Sequence, residues 1–201
     1  MEILLASNNL HKIREFRQLF QRLQKTVELV SLIQFPHYKA PEETGLAFKE
    51  NAIAKAVHAA KELQMWVLAD DSGLVVPSLQ GAPGVYSSRY AGIGATDKQN
   101  YEKLLGAMKN FSEQDRIAYF QCCLALANPF GLQKCVESIC EGSIADTPRG
   151  RCGFGYDSIF IKTDYGKTFA ELDDEIIKNK ISHRGKAFER ILPFLETFKN
   201  S

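Results

Sequence analysis

The chain has 201 residues, enough for one domain or one compact two-lobed unit. Hydrophobic residues make up 45% and charged residues 24%, ample apolar material for a core, which excludes global disorder. Lys+Arg number 25 against 24 Asp+Glu, so the basic surplus expected of a polynucleotide binder is missing, although one small anion needs only a few local charges.

The apolar run over residues 3–6 predicts a short buried strand, ended by Ser7-Asn8-Asn9. It is too short for a signal-peptide core, and no apolar run approaches the roughly 20 residues of a membrane helix. A helix follows from His11, because Ile13, Phe16, Phe20 and Leu23 recur at steps of three, four and three. A second strand is expected over 27–32 and a loop over 35–45. The Ala-rich stretch 46–63 predicts a helix with Phe48, Ala52, Ala56, Ala59 and Leu63 on one side. Residues 65–69 read as a strand ending at Asp70-Asp71-Ser72-Gly73, with a brief strand over 74–76. Two Pro and four Gly between 77 and 94 predict turns. Thr96-x-x-Gln99 is a capping box for a helix to about Met108. Strands over 117–127 and 133–142, joined at Asn128-Pro129-Phe130-Gly131, predict a hairpin. A Gly-rich loop over 149–157 leads to a strand over 158–162. A short helix is expected over 171–179, and a closing helix over 184–198 that Pro193 should kink. Early alternation of helix and strand with a central hairpin predicts an α/β unit with a mixed sheet, read as a single domain over 1–201. The five cysteines are Cys122, Cys123, Cys135, Cys140 and Cys152, odd in number and without C-x-x-C spacing. They read as reduced thiols in or near the core rather than a disulfide framework or structural zinc site.

Four segments place polar side chains where a strand or helix is expected to end, the position at which α/β sheets bind ligands. Ser7-Asn8-Asn9-Leu10-His11-Lys12 is either an Asn/Ser cap with a solvated lysine, or a phosphate site of free backbone N–H groups beside the Lys12 charge. The Walker pattern G-x-x-x-x-G-K-[ST] is absent. In Glu42-Glu43-Thr44-Gly45 the carboxylates either complement a helix dipole or ligate a hard cation. Asp70-Asp71 can hold Mg²⁺ beside substrate phosphates or deprotonate a water, whereas an Asx-turn would need only one Asp. The fourth segment is split. In Gly150-Arg151-Cys152-Gly153-Phe154-Gly155-Tyr156-Asp157, Phe154 or Tyr156 could stack on a planar base. Ile181-Ser182-His183-Arg184-Gly185 sets a cation pair at a helix start, against the dipole, which suits an anionic partner. A packed turn and surface cations are the structural alternative.

Together these segments resemble the inosine/xanthosine triphosphate pyrophosphatase family. The resemblance rests on Ser7-Asn8-Asn9-x-x-Lys12, on Glu42-Glu43-Thr44-Gly45 with Glu50-Asn51-Ala52, and on Ala69-Asp70-Asp71-Ser72-Gly73-Leu74. It continues through Gly81-Ala82-Pro83-Gly84-Val85-Tyr86-Ser87-Ser88-Arg89-Tyr90, Gly153-Phe154-Gly155-Tyr156-Asp157 and Ser182-His183-Arg184-Gly185, in order from residue 7 to residue 185.

The resemblance implies an elongated mixed sheet flanked by helices, two lobes around a central substrate cleft, and a cytoplasmic homodimer without nucleic-acid or membrane partners. It implies Mg²⁺-dependent hydrolysis of the purine nucleoside triphosphates ITP, dITP and XTP to monophosphate and pyrophosphate. By position it implies Ser7, Asn8, Asn9, Leu10, His11 and Lys12 along the triphosphate. Asp71 is then the catalytic acid–base residue and a Mg²⁺ ligand, with Glu43 or its neighbour Glu42 helping to hold the metal. Ser72 touches substrate, Phe154, Gly155, Tyr156 and Asp157 frame the base, Lys178 binds substrate, and His183 and Arg184 read the purine. The nucleophile is water, since no Ser, Cys or His lies in a nucleophile motif, and Lys12 and Lys178 are the candidates to stabilise the leaving pyrophosphate. Asn8 stands where the family has glycine, and asparagine can supply a left-handed backbone there. Ser158 stands where the family has proline. A pyrophosphatase of other base specificity and a non-catalytic nucleotide-binding regulator are the alternative expectations.

Overall fold

A computed structural model describes residues 1–23, 27–172 and 174–200. β1 (Glu2–Leu5), buried from Ile3 onward, pairs in parallel with β2 (Glu28–Ser31) on one side and β3 (Trp66–Val75) on the other. β4 (Ile117–Asn128) and β5 (Gly131–Ile144) form the hairpin. β6 (Phe160–Lys162) and β7 (Lys167–Thr168) add to it antiparallel. The sheet is therefore mixed, in the order β2-β1-β3-β4-β5-β6-β7. At two residues, β7 carries no sequence pattern that could have announced it.

Among the helices, α1 (Leu10–Phe20) buries Ile13, Phe16, Leu19 and Phe20, and Leu23 follows on a 3-10 turn. α2 (Phe48–Leu63) presents the small side chains Ala52, Ala56, Ala59 and Ala60 inward, all fully buried. α3 (Asp97–Ala107) opens on the expected box: Gln99 N donates to Thr96 Oγ1 at 3.3 Å and Thr96 N to Gln99 Oε1 at 2.8 Å. α4 (Glu175–Ile181) starts later than expected. Asp174 caps it by accepting from Ile176 N and Ile177 N, and residues 169–171 form a separate 3-10 turn. α5 (His183–Glu196) carries Pro193 inside it without ending there.

Two expectations about local backbone are corrected. The break at Asp70-Asp71-Ser72-Gly73 does not occur, because β3 runs unbroken from Trp66 to Val75. Cations from other elements meet both carboxylates, so the strand continues through them. Asn8 does not adopt a left-handed backbone; among the described residues the positive-φ non-glycine residues are Gln64 and Gln80.

The chain divides into two compact units. The first holds residues 1–71, 122–138 and the segment from Arg184 onward, around a core that includes Ile3, Phe16, Leu68, Leu124 and Phe188. The second holds residues 72–121 and 139–183, around Leu74, Met108, Phe120, Phe160 and Phe169. Two of the crossings, Asp71 to Ser72 and His183 to Arg184, fall inside segments singled out for chemistry.

Candidate active site

In the first unit, the start of α1 is built by its own polar residues. Ser7 Oγ accepts from Asn9 N at 3.1 Å, and Asn9 Oδ1 accepts from His11 N at 2.9 Å and Lys12 N at 3.2 Å. Asn9 is thus the cap, while Asn8, Leu10 and His11 are exposed and Ser7 is half-buried. Lys12 is not a solvated cation: its Nζ lies 3.0 Å from Asp70 Oδ2.

Asp70, 2% exposed, is the hub of a buried charge cluster. Its Oδ2 accepts from Arg184 Nε at 3.1 Å and lies 3.0 Å from Arg184 Nη2. Its Oδ1 accepts from Cys122 Sγ at 3.3 Å. Arg184 also pairs with Glu15 on α1, so one guanidinium ties α5 to both carboxylates. Burial alone would raise the Asp70 carboxyl. Arg184, Lys12 and Lys55 outweigh it and hold the group well below the usual carboxylate range.

Asp71 follows immediately but points to the other face of β3, as the pleat requires. Its Oδ1 accepts from Lys55 Nζ at 2.8 Å and its Oδ2 from Asn51 Nδ2 at 3.2 Å. Lys55 Nζ also donates to Glu43 Oε1 at 2.9 Å and to the Asp70 carbonyl at 3.0 Å. Here burial dominates and the neighbouring Glu43 adds to it, so the Asp71 carboxyl titrates above its ordinary value despite Lys55 and Lys12. Burial disfavours the Lys55 charge, but Asp71 and Glu43 outweigh it and keep the ammonium protonated. Asn51 is fixed in turn by Gly45, whose N–H donates to Asn51 Oδ1 at 2.9 Å. A Cβ on Gly45 would lie 2.5 Å from that oxygen, so the approach requires glycine.

Lys55 is the member of this cluster that motif reading missed. It stands one helical turn after Asn51 on α2, and that i, i+4 relation was the available signal. Glu43 meets Lys55, whereas Glu42 is exposed. Glu43 and Asp71 therefore converge on one positive charge with oxygen ligands only, a donor set that fits a hard divalent cation. Among the described residues no group of three or more His, Cys, Asp or Glu could hold a metal ion. The two carboxylates fit a cation that shares its ligands with substrate phosphates.

In the second unit, Asp157 organises the Gly-rich loop. Its Oδ2 accepts from Phe154 N at 2.8 Å and from Lys178 Nζ at 2.6 Å, a buried ion pair. Gly153, at φ +81°, lets the loop close on this carboxylate, because a Cβ there would lie 2.1 Å from Asp157 Oδ2. Gly155 N donates to Asp97 Oδ2 at 2.7 Å. Of the two aromatics, Phe154 is half-buried, with Lys178 Nζ 5.4 Å from its ring centroid. Tyr156 belongs to the core and donates its hydroxyl to the Ser87 carbonyl at 2.8 Å, so of the two only Phe154 keeps a partly exposed ring. Lys178 thus sits with the Gly-rich loop. His183 is buried and stacks on Phe120, ring centroids 4.7 Å apart and 13° from parallel. Ser72 is half-buried.

A sequence profile of the Ham1 family matches residues 3–194. The chain belongs to the Ham1 family. Its Ham1 relatives include a protein named dITP/XTP pyrophosphatase from Protochlamydia amoebophila (strain UWE25), 60% identical over 201 residues and covering all of both chains. One of the same name from Chlamydia caviae is 47% identical over 197 residues, 98% of this chain and 95% of that protein. Among solved Ham1 structures, the HAM1 protein of Coxiella burnetii superposes with a TM-score of 0.86 at 44% identity, covering 97% of this chain and 98% of the other. The Staphylococcus aureus Ham1 protein gives 0.85 at 42%, covering 98% and 99%. Membership bears out the resemblance carried by the six motifs, and the Ham1 fold is the mixed seven-stranded sheet flanked by helices described above.

Proposed function

We propose that this protein hydrolyses the non-standard purine nucleotides ITP, dITP and XTP to monophosphate and pyrophosphate, clearing them from the nucleotide pool. The observation that carries the reading is the divided environment of two adjacent carboxylates. Asp70 is locked as an anion by Lys12 and Arg184, while Asp71 titrates above its ordinary value beside Lys55, Asn51 and Glu43. Neighbouring carboxylates whose environments push them apart mark a division between a structural charge and a proton acceptor. The Ham1 relatives named dITP/XTP pyrophosphatase, at 60% and 47% identity, support dITP and XTP among these substrates.

In this reading Asp71 accepts the proton of the attacking water, held in place by Asn51 and Lys55. Glu43 and Asp71 would hold Mg²⁺, which when bound would neutralise phosphate charge and polarise the phosphorus. Residues 7–12 meet the triphosphate, with Lys12 stabilising the leaving pyrophosphate. Ser72 and Lys178 contact substrate, and Phe154 to Asp157 frame the base. His183 and Arg184 address the keto oxygen at position 6, where adenine would present an amino group instead. A donor left facing a donor costs about 1–3 kcal/mol. Guanine shares the keto oxygen, so its 2-amino group must be refused near Phe154 and Asp157. A homodimer in the cytoplasm is the setting proposed; the free cysteines suit a reducing compartment.

A nucleotide panel, with Mg²⁺ and with chelator, tests this. ITP, dITP and XTP should exceed ATP and GTP in kcat/KM by roughly 5- to 150-fold, the range that 1–3 kcal/mol corresponds to, and chelator should abolish turnover. Equal rates on ATP or GTP would sink the specificity, and silence on every nucleotide would favour a binding regulator. A second expectation concerns Gly45. Gly45→Ala should displace Asn51 and lower kcat by about 10- to 100-fold, with the circular dichroism spectrum unchanged. Wild-type kcat in that variant would show that Asn51 does not position Asp71.

A further inference from the structure

Cys122 and Cys123 are consecutive on β4, so the pleat sends their thiols to opposite faces. Cys122 reaches Asp70. Cys123 instead places its Sγ 3.3 Å from the Sγ of Cys135 on β5. Both lie in the first unit, on the two strands of the hairpin. Closing that gap to the roughly 2.0 Å of an S–S bond needs a movement of only about 1.3 Å. We infer that Cys123 and Cys135 form a reversible oxidation site that closes to a disulfide when the protein meets a peroxide.

The two thiols differ in a way that fixes their roles. Cys135 is half-buried and Cys123 is buried. Cys135 is the more exposed of the two, and its hydrogen bond with Cys123 and the nearby Lys49 hold its thiol down at about 7, so Cys135 is the nucleophile. Its thiolate attacks one peroxide oxygen and the O–O bond breaks. The departing hydroxide takes up the proton released by Cys135 and leaves as water, and Cys135 becomes a sulfenic acid. The Cys123 sulfur then attacks the Cys135 sulfur. The S–S bond forms, the S–O bond breaks, and the hydroxyl departs with the Cys123 proton as a second water. Two thiols lose two electrons and one peroxide becomes two waters. The other cysteines lack this arrangement. Cys122 is pushed up by burial and by the Asp70 carboxylate it faces, Cys140 is buried, and Cys152 is exposed in the second unit.

The test uses the full chain treated with hydrogen peroxide, alkylated, and digested with trypsin without reduction. Cleavage after Lys134 separates peptide 117–134 from peptide 135–149, so the two remain joined only through a disulfide. The expected result is a linked pair that appears with peroxide and disappears with dithiothreitol, with the loss of two of the five titratable thiols. The link should persist in Cys122→Ala and Cys140→Ala and vanish in Cys135→Ser. Unlinked peptides from the oxidised wild-type protein, with Cys135 recovered as alkylated thiol or sulfinic acid, would overturn the inference. So would a link that survives Cys135→Ser.

Discussion

Replacing Asp71 by asparagine is expected to lower kcat by about 10²- to 10⁴-fold while leaving the fold intact, the loss typical of a removed general base. Asparagine keeps the volume and one oxygen acceptor for Lys55 Nζ or Asn51 Nδ2, which lie 2.8 and 3.2 Å from the carboxylate. It removes the charge and the capacity to take a proton. The pH profile separates this role from a merely structural one. Burial raises the Asp71 carboxyl above its ordinary value, and a base must be deprotonated to act. Wild-type kcat/KM should therefore rise with pH across a limb lying above the normal aspartate range. The Asp71→Asn variant should lack that limb. Near-normal turnover in the variant would remove Asp71 from the chemistry.

Arg184→Met is expected to cost about 3–5 kcal/mol of folding stability, because it removes the buried cation that two carboxylates share and leaves Lys12 to meet Asp70. Arg184 is 3% exposed and meets both Asp70 and Glu15. Methionine fills much of the volume, so the loss is chiefly electrostatic. Its pH dependence follows from the depressed Asp70 carboxyl. In the wild-type protein that contribution is fully present above the ordinary aspartate value. It is lost only as pH falls far below that value, toward the folded one. The deficit of Arg184→Met should be largest near neutrality and shrink as acid protonates Asp70. Urea unfolding at neutral and acidic pH measures both. A loss under about 1 kcal/mol, as for an exposed pair, would contradict the cluster described here.

Much of the fold was legible because its signals are local. Ile13, Phe16 and Phe20 mark the buried face of α1, and Thr96 with Gln99 marks the start of α3. The course of β3 was not legible. Asp-Asp-Ser-Gly has the composition of a turn, and the cations that allow the strand to pass through it come from Lys12, Lys55 and Arg184, remote in sequence from Asp70 and from one another. The site shows the same divide. Motif reading pointed to Glu43, Asp71 and Asp157, yet not to Lys55, which belongs to no contiguous motif and gains its place only when α2 packs beside β3. The nature of the aromatic contacts was equally hidden. Phe154 and Tyr156 are two residues apart, and only the carbonyl of Ser87, 69 positions earlier, decides that Tyr156 turns inward.

The central claim is a hydrolysis between the monophosphate and the pyrophosphate of a non-standard purine nucleotide, driven by an Asp71-activated water. The most direct measurement is to incubate the purified protein with dITP and Mg²⁺ and resolve the products by ion-exchange chromatography. dIMP and pyrophosphate should appear in equal amounts, and neither should form above background in Asp71→Asn. Formation of dIDP with inorganic phosphate, or recovery of intact dITP, would contradict it.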